Sequence, residues 1–252
     1  MMQASATHTS SAFPPKTTAT APNPSPLRLG VQVAARFVAT TAAVMAILFL
    51  PAGTVRWWQG WTFLAVYVGF ALAAFLCFLK AAPELVERRL PGKEPLREQK
   101  QILRFGGVVL AGIFTLPGFD HRLGWSRALW GEEPAWLEML SLAMMLGAEL
   151  AMARVMYINR YAARTIRVEE GQTVVTSGPY GVIRHPMYAF SFFMFVFALL
   201  ALGSYVALPA LLLFVPVYVL RILNEEKFLR AELAGYAEYC ERTRWRVLPG
   251  VW

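Results

Sequence analysis

The feature that most limits this chain is a succession of apolar runs: about Val31–Leu50, Trp57–Leu79, Phe105–Phe119 and Trp136–Tyr157. Most are near the ~20 residues that a helix needs to cross a bilayer. Composition agrees, with 57% hydrophobic residues in 252 against about 45–50% in soluble domains. Pro51-Ala52-Gly53 breaks the first run, and Trp57, Trp58 and Trp61 open the second as an interfacial aromatic belt. The third run is short. Two further runs, Met187–Leu202 and Val206–Leu220, are separated by Gly203-Ser204, and Pro209 and Pro216 interrupt the second. At about 1.5 Å per residue the first of these covers roughly 24 Å, just short of a core of about 30 Å. The expected fold class is all-α: a polytopic membrane helix bundle of about five to six transmembrane helices with a C-terminal helical hairpin.

The segments between the runs set the organisation. Residues 1–26 are rich in Ser, Thr, Ala and Pro, a composition that buries too little surface to fold, and are expected to be a disordered tail. Residues 27–153 are expected to hold the N-terminal membrane helices and 154–252 a catalytic region. Residues 80–104 read as a charged loop, Thr173–Thr176 as a short extended piece, Glu225–Cys240 as an amphipathic helix and Trp245–Trp252 as an aromatic tail. The net charge of +8 does not point to nucleic acid, because the charges sit between apolar runs. Of the 24 Lys and Arg, all but Arg56, Arg122 and Arg127 fall on one side of a six-segment topology. The positive-inside rule makes that side cytoplasmic, with both termini and the 177–188 segment on it.

Several chemistries find no support. Cys77 and Cys240 make no disulfide framework, and His8, His121 and His185 are scattered, without metal-ligand spacing. No GxGxxG fingerprint occurs, so a soluble dinucleotide site is not indicated. Glu149 and Arg154, which end the fourth run, are expected to be structural, paired with each other or with a loop partner.

Chemistry concentrates in Ser177–Tyr188 and Arg221–Glu226. Gly178, Pro179 and Gly181 make a turn whose amides can approach a ligand. Pro186 suits a first helical turn, leaving His185 near an N-cap that attracts carboxylates. The plainer reading is a helix start at the membrane surface, with Arg184 toward headgroups and Tyr188 in the aromatic belt. Arg221 and Glu225 are four apart and share a helix face. They form either an intrahelical ion pair or the cation and carboxylate of a pocket mouth.

Val175–Tyr180, Arg184-His185-Pro186-Met187-Tyr188, Arg221 with Glu225-Glu226, Gly235-Tyr236 and Leu248-Pro249 together resemble the isoprenylcysteine carboxyl methyltransferases, integral membrane enzymes related to phospholipid methyltransferases. The resemblance covers roughly 155–252. It implies S-adenosylmethionine as methyl donor, held by Gln172, Thr173, Val174, Val175, Tyr180, His185, Pro186, Met187, Tyr188 and Glu225. It also implies that Arg221 is the catalytic, substrate-contacting residue. Phe190 departs from the family's usual Gly, and a cofactor-contacting Gln of the family, aligning near Thr165, is not carried over. The implied partners are membrane lipids and a lipophilic or membrane-borne acceptor. That acceptor is an isoprenylcysteine-like carboxylate, a phospholipid amine or a small thiol. Competing classes are a non-enzymatic membrane transport or sensor protein and a nicotinamide-dependent membrane reductase.

Overall fold

The computed structural model describes residues 26–83, 85–86, 97–161, 168–169 and 171–252. The expected tail, apart from Pro26, lies outside the described residues, as do Thr165 and much of the 80–104 segment. Eight α-helices are described: α1 Pro26–Ala52, α2 Trp58–Ala81, α3 Arg97–Leu123, α4 Trp125–Trp130, α5 Ala135–Ile158, α6 Pro186–Ala201, α7 Val215–Glu232 and α8 Tyr236–Arg242. Short 3-10 turns cover Gly178–Gly181 and Pro209–Leu213. No strand occurs among the described residues, and Thr173–Thr176 lies outside any helix or strand. The all-α polytopic bundle holds: within α1, α2, α3 and α5, four stretches are long and apolar enough to cross a membrane, and α6 is a shorter apolar helix.

The helices pack as α5 on α6, α1 on α3, α2 on α5 and α3 on α7. Lipid tails are as apolar as leucine, so such contacts rely on close fit and small residues. At Gly118 on α3, an added Cβ would fall on the Leu48 carbonyl oxygen of α1. At Gly106 it would come within 2.6 Å of Val217 Cγ1 on α7. One buried cluster joins Leu48, Trp57, Phe63, Met145 and Ala198; a second joins Ile113, Leu199, Leu211, Phe214 and Val217.

Three segments differ from the sequence reading. The third membrane helix begins at Arg97 rather than near Phe105, because Arg, Glu, Gln and Lys are good helix formers whose polarity hides them from a hydropathy pattern. The return arm of the hairpin is not one helix. Pro209 starts a 3-10 turn and Pro216 sits in the first turn of α7, since each lacks the N–H that a continuous helix requires. The expected helix Glu225–Cys240 is two pieces: α7 runs on to Glu232, and Gly235, at φ +82, turns the chain into α8.

Candidate active site

The cofactor and acceptor residues named from the resemblance converge on one cavity of about 330 Å³, whereas Gly178, Pro179 and Gly181 of the turn do not line it. Four segments build it: Gln172, Thr173, Val174 and Val175; Tyr180 in the first 3-10 turn; His185, Pro186, Met187 and Tyr188 opening α6; and Arg221 and Glu225 on α7. Local chemistry holds each segment. The Gln172 side chain accepts from the Glu169 amide at 3.0 Å, closing the turn. Val174 packs against the buried cluster of Leu233, Tyr236, Tyr239 and Cys240. Asn159 donates to the Tyr180 hydroxyl at 3.0 Å, and the Tyr239 hydroxyl donates to the Tyr180 carbonyl at 2.8 Å. His185 is the N-cap residue of α6 and Pro186 its first residue, so the helix starts where expected.

On the wall of the cavity, the Tyr188 hydroxyl donates to Glu225 Oε2 at 2.8 Å and interacts with Arg221. Arg221 Nη1 donates to Gln99 Oε1 of α3 at 3.0 Å. Tyr218 stands edge-on to Tyr188 with ring centroids 5.2 Å apart, and its hydroxyl is 2.6 Å from Ser191 Oγ. Tyr188 therefore faces the cavity, not an aromatic belt.

Glu226 is the residue the sequence reading passed over. Its carboxylate, 4% exposed, is bound from three directions. Arg184 Nε donates to Oε1 at 2.7 Å, His185 Nε2 lies 3.2 Å from Oε1, and Arg246 Nε donates to Oε2 at 3.1 Å. Burial opposes its ionisation. The hydrogen bond and charge of His185, then those of Arg184, outweigh burial and hold the carboxyl down at about 2. Arg184 also donates from Nη1 to the carbonyls of Thr243 and Arg244 at 2.9 and 3.1 Å, so it is buried in the fold and does not face headgroups. Its amide and that of His185 bond to the carbonyls of Trp245 and Arg246 at 2.9 and 2.8 Å. The expected aromatic tail is thus a clamp: Arg246 stacks over the Trp252 ring at 5.2 Å while holding Glu226. The available signal was the doubled Glu225-Glu226 beside Arg184-His185, where one helix turns successive carboxylates to different surroundings.

The opposite ends of α3, α5 and α6 carry another polar cavity, of about 440 Å³. Asp120 there accepts from Ser126 N, Ser126 Oγ and Ser204 Oγ at 2.8, 2.5 and 2.6 Å. Glu138 Oε1 accepts from Gln59 at 2.9 Å, but its buried Oε2 has no hydrogen-bond partner of good geometry among the described residues. Neither oxygen of Glu133 makes a hydrogen bond of good geometry among the described residues. Burial pushes the Glu133 carboxyl up to about 7; the nearby Tyr205 hydroxyl opposes this, and the charges of Glu138 and Asp120 add to it. Of the two arrangements expected for Glu149 and Arg154, pairing with each other does not occur: Glu149 is buried with Oε2 unpartnered among the described residues, while Arg154 is exposed. Five positions on a helix carry the two side chains about 140° apart.

The model of the phospholipid methyltransferase family matches residues 136–234. That span runs from α5 through α7 and contains every site residue named from the sequence. It supports the resemblance read there, and with the apolar helices it supports an integral membrane methyltransferase. A curated protein, the cobalt-zinc-cadmium resistance protein CzcN of Cupriavidus metallidurans, is 33% identical over 111 residues, or 43% of this chain and 49% of that protein. The chain spans about half the length of this relative.

Proposed function

We propose that this protein transfers a methyl group from S-adenosylmethionine to the carboxylate of an isoprenylcysteine-like or other lipophilic acceptor. The observation that carries the reading is the convergence of Tyr180, His185, Tyr188, Arg221 and Glu225 on one cavity. Its lining suits the donor. Tyrosine rings offer stacking faces for a base, Glu225 and Tyr188 offer polar contacts, and Val174, Met187, Leu229 and Leu233 offer apolar wall. When bound, S-adenosylmethionine supplies an electrophilic methyl on a sulfonium.

The chain's own work is positioning and exclusion of water. Arg221 orients the acceptor carboxylate through its planar fork. Tyr188 and Glu225 hold the donor side. A carboxylate is already ionised, so no group has to remove a proton from it. A second cavity of about 230 Å³ lies one to two turns deeper along α3, α5 and α6, lined by Leu110, Phe114, Met145, Met194 and Phe195. Its apolar wall supports an acceptor with a hydrocarbon tail. Phospholipid amine methylation is the second reading, favoured by the description of the matching family.

Labelled S-adenosylmethionine, offered with a prenylcysteine analogue, phosphatidylethanolamine and a small thiol, tests the acceptor. The carboxylate reading expects label in a base-labile methyl ester; label in the amine or thiol overturns it. Failure to bind S-adenosylhomocysteine in an equilibrium titration would leave the transport or sensor class standing, and competition by NADPH would favour the reductase. The proposed orientation puts both termini and the main cavity in the cytoplasm. In sealed vesicles of a Cys77→Ser, Cys240→Ser background, Trp125→Cys is expected to label from outside and Ser10→Cys is not. The reverse pattern inverts the orientation.

A further inference from the structure

Gln99 stands in the first turn of α3, outside the segment that the family model matches. It is 1% exposed, and its Oε1 accepts from Arg221 Nη1 at 3.0 Å. A guanidinium has no acceptor, so the carboxamide can present only its oxygen to Arg221. That fixes the orientation of the amide. Nε2 faces the other way and has no hydrogen-bond partner among the described residues. A buried N–H without an acceptor is costly, and an apolar residue of similar size would avoid the cost. What glutamine offers in return is the bond to Arg221.

The packing makes that bond reachable. α3 and α7 approach closely where Gly106 leaves room for Val217. Two turns back along α3 stands Gln99, and one turn on along α7 stands Arg221. Arg221 also shares its helix face with Glu225, four residues on, a spacing that favours an ion pair. A neutral partner from α3 holds the guanidinium without cancelling its charge. A carboxylate at position 99 would hold it more tightly and neutralise it.

We propose that Gln99 is a positioning residue that acts through Arg221, fixing the guanidinium in the cavity wall to meet an oxyanion of the methyl acceptor. This rests on the methyltransferase reading of the cavity given above. The oxyanion is a carboxylate in a prenylcysteine-type acceptor and a phosphate in a phospholipid.

The test uses the full-length protein in nanodiscs, with Gln99→Leu and Gln99→Glu beside Arg221→Ala. Kd for S-adenosylhomocysteine, unfolding midpoint, and KM and kcat for N-acetyl-S-farnesylcysteine and for phosphatidylethanolamine are measured. Gln99→Leu is expected to keep or raise the unfolding midpoint, because the orphan N–H is gone, and to leave the S-adenosylhomocysteine Kd unchanged. It should raise acceptor KM about tenfold or more, the effect of one lost hydrogen bond to a charged group, with a smaller change in kcat. Gln99→Glu should raise KM further by neutralising Arg221. The acceptor whose KM moves identifies the oxyanion. Wild-type KM in both Gln99 variants, where Arg221→Ala raises it, overturns the inference alone. A lowered midpoint with a raised S-adenosylhomocysteine Kd in Gln99→Leu marks a scaffold residue and also overturns it. No S-adenosylhomocysteine binding by the wild type overturns the methyltransferase reading and this inference together.

Discussion

Glu226 and Glu133 are carboxylates at opposite ends of the same helical frame, and their surroundings drive them in opposite directions. Glu226 meets Arg184, His185 and Arg246, and its carboxyl is held down at about 2. Glu133 meets Glu138 and Asp120, with neither oxygen well bonded among the described residues, and is pushed up to about 7. Both lose water on burial; the neighbouring charges and hydrogen bonds differ. At the main cavity a buried charge is compensated and ties three segments together. At the far end the cost of burial is left standing.

The strongest way to break this contrast is to remove the hub. Glu226→Ala leaves Arg184 buried without its counter-ion, a loss of about 3–5 kcal/mol for a broken buried pair. Thermal unfolding in detergent should show it, together with loss of S-adenosylhomocysteine binding. An unchanged midpoint would mean that Arg184 finds equal compensation in the Thr243 and Arg244 carbonyls.

Substitutions on the cavity wall come next. Glu225→Gln should weaken S-adenosylhomocysteine, and Arg221→Ala should weaken the acceptor. Each effect is about 1.5–3 kcal/mol, or roughly 10- to 150-fold. His185→Ala should weaken the cofactor as well, while the helix start at Pro186 survives. Equal, small effects of the two α7 substitutions on stability alone, near the 0.3–0.5 kcal/mol of an exposed ion pair, would reduce Arg221 and Glu225 to a surface pair.

The pH dependence separates the two ends by sign. Glu226 has a folded-state value of about 2 against an ordinary 4.5. Its contribution to stability is therefore present above about 4.5 and lost as pH falls toward 2. Glu133 is raised from 4.5 to about 7. Its proton favours the folded state at low pH, and that contribution disappears as pH rises through about 7. The unfolding midpoint should fall at both limits, with Glu226→Gln flattening the acid limb and Glu133→Gln the neutral one. The smallest effect is that of Glu133→Gln at pH 7, expected below about 1 kcal/mol and toward greater stability, because it removes a poorly compensated charge.

Much of the frame was legible because bilayer physics acts on composition. Four of the apolar runs are helices within a few residues of their expected ends, and Pro186 starts its helix as a proline at that position should. Charged and proline-bearing stretches were less legible. The first turns of α3 looked like loop, and the return arm of the hairpin looked like one helix, because hydropathy weighs neither helix propensity nor a missing N–H. For the site, the pattern from Gln172 to Glu225 located the residues that gather at one cavity. It gave their identities but not their partners.

The sequence by itself determined that the chain would be a bundle of membrane helices, with its candidate site residues gathered mainly near 177–188 and 221–226. Both follow from properties carried by each segment alone: apolar length, turn chemistry and residue type. Only the tertiary structure decided which charges meet. Adjacent Glu225 and Glu226 have the same side chain, yet one faces Tyr188 in the cavity and the other is buried against Arg184, His185 and Arg246. Successive residues on a helix point about 100° apart, so the helix's rotation against α6 and the C-terminal clamp settles each role. The same holds for Gln99 and Arg221, which are 122 residues apart in sequence and 3.0 Å apart in space. No local pattern carries that distance, because it is set by how closely α3 and α7 pack at Gly106.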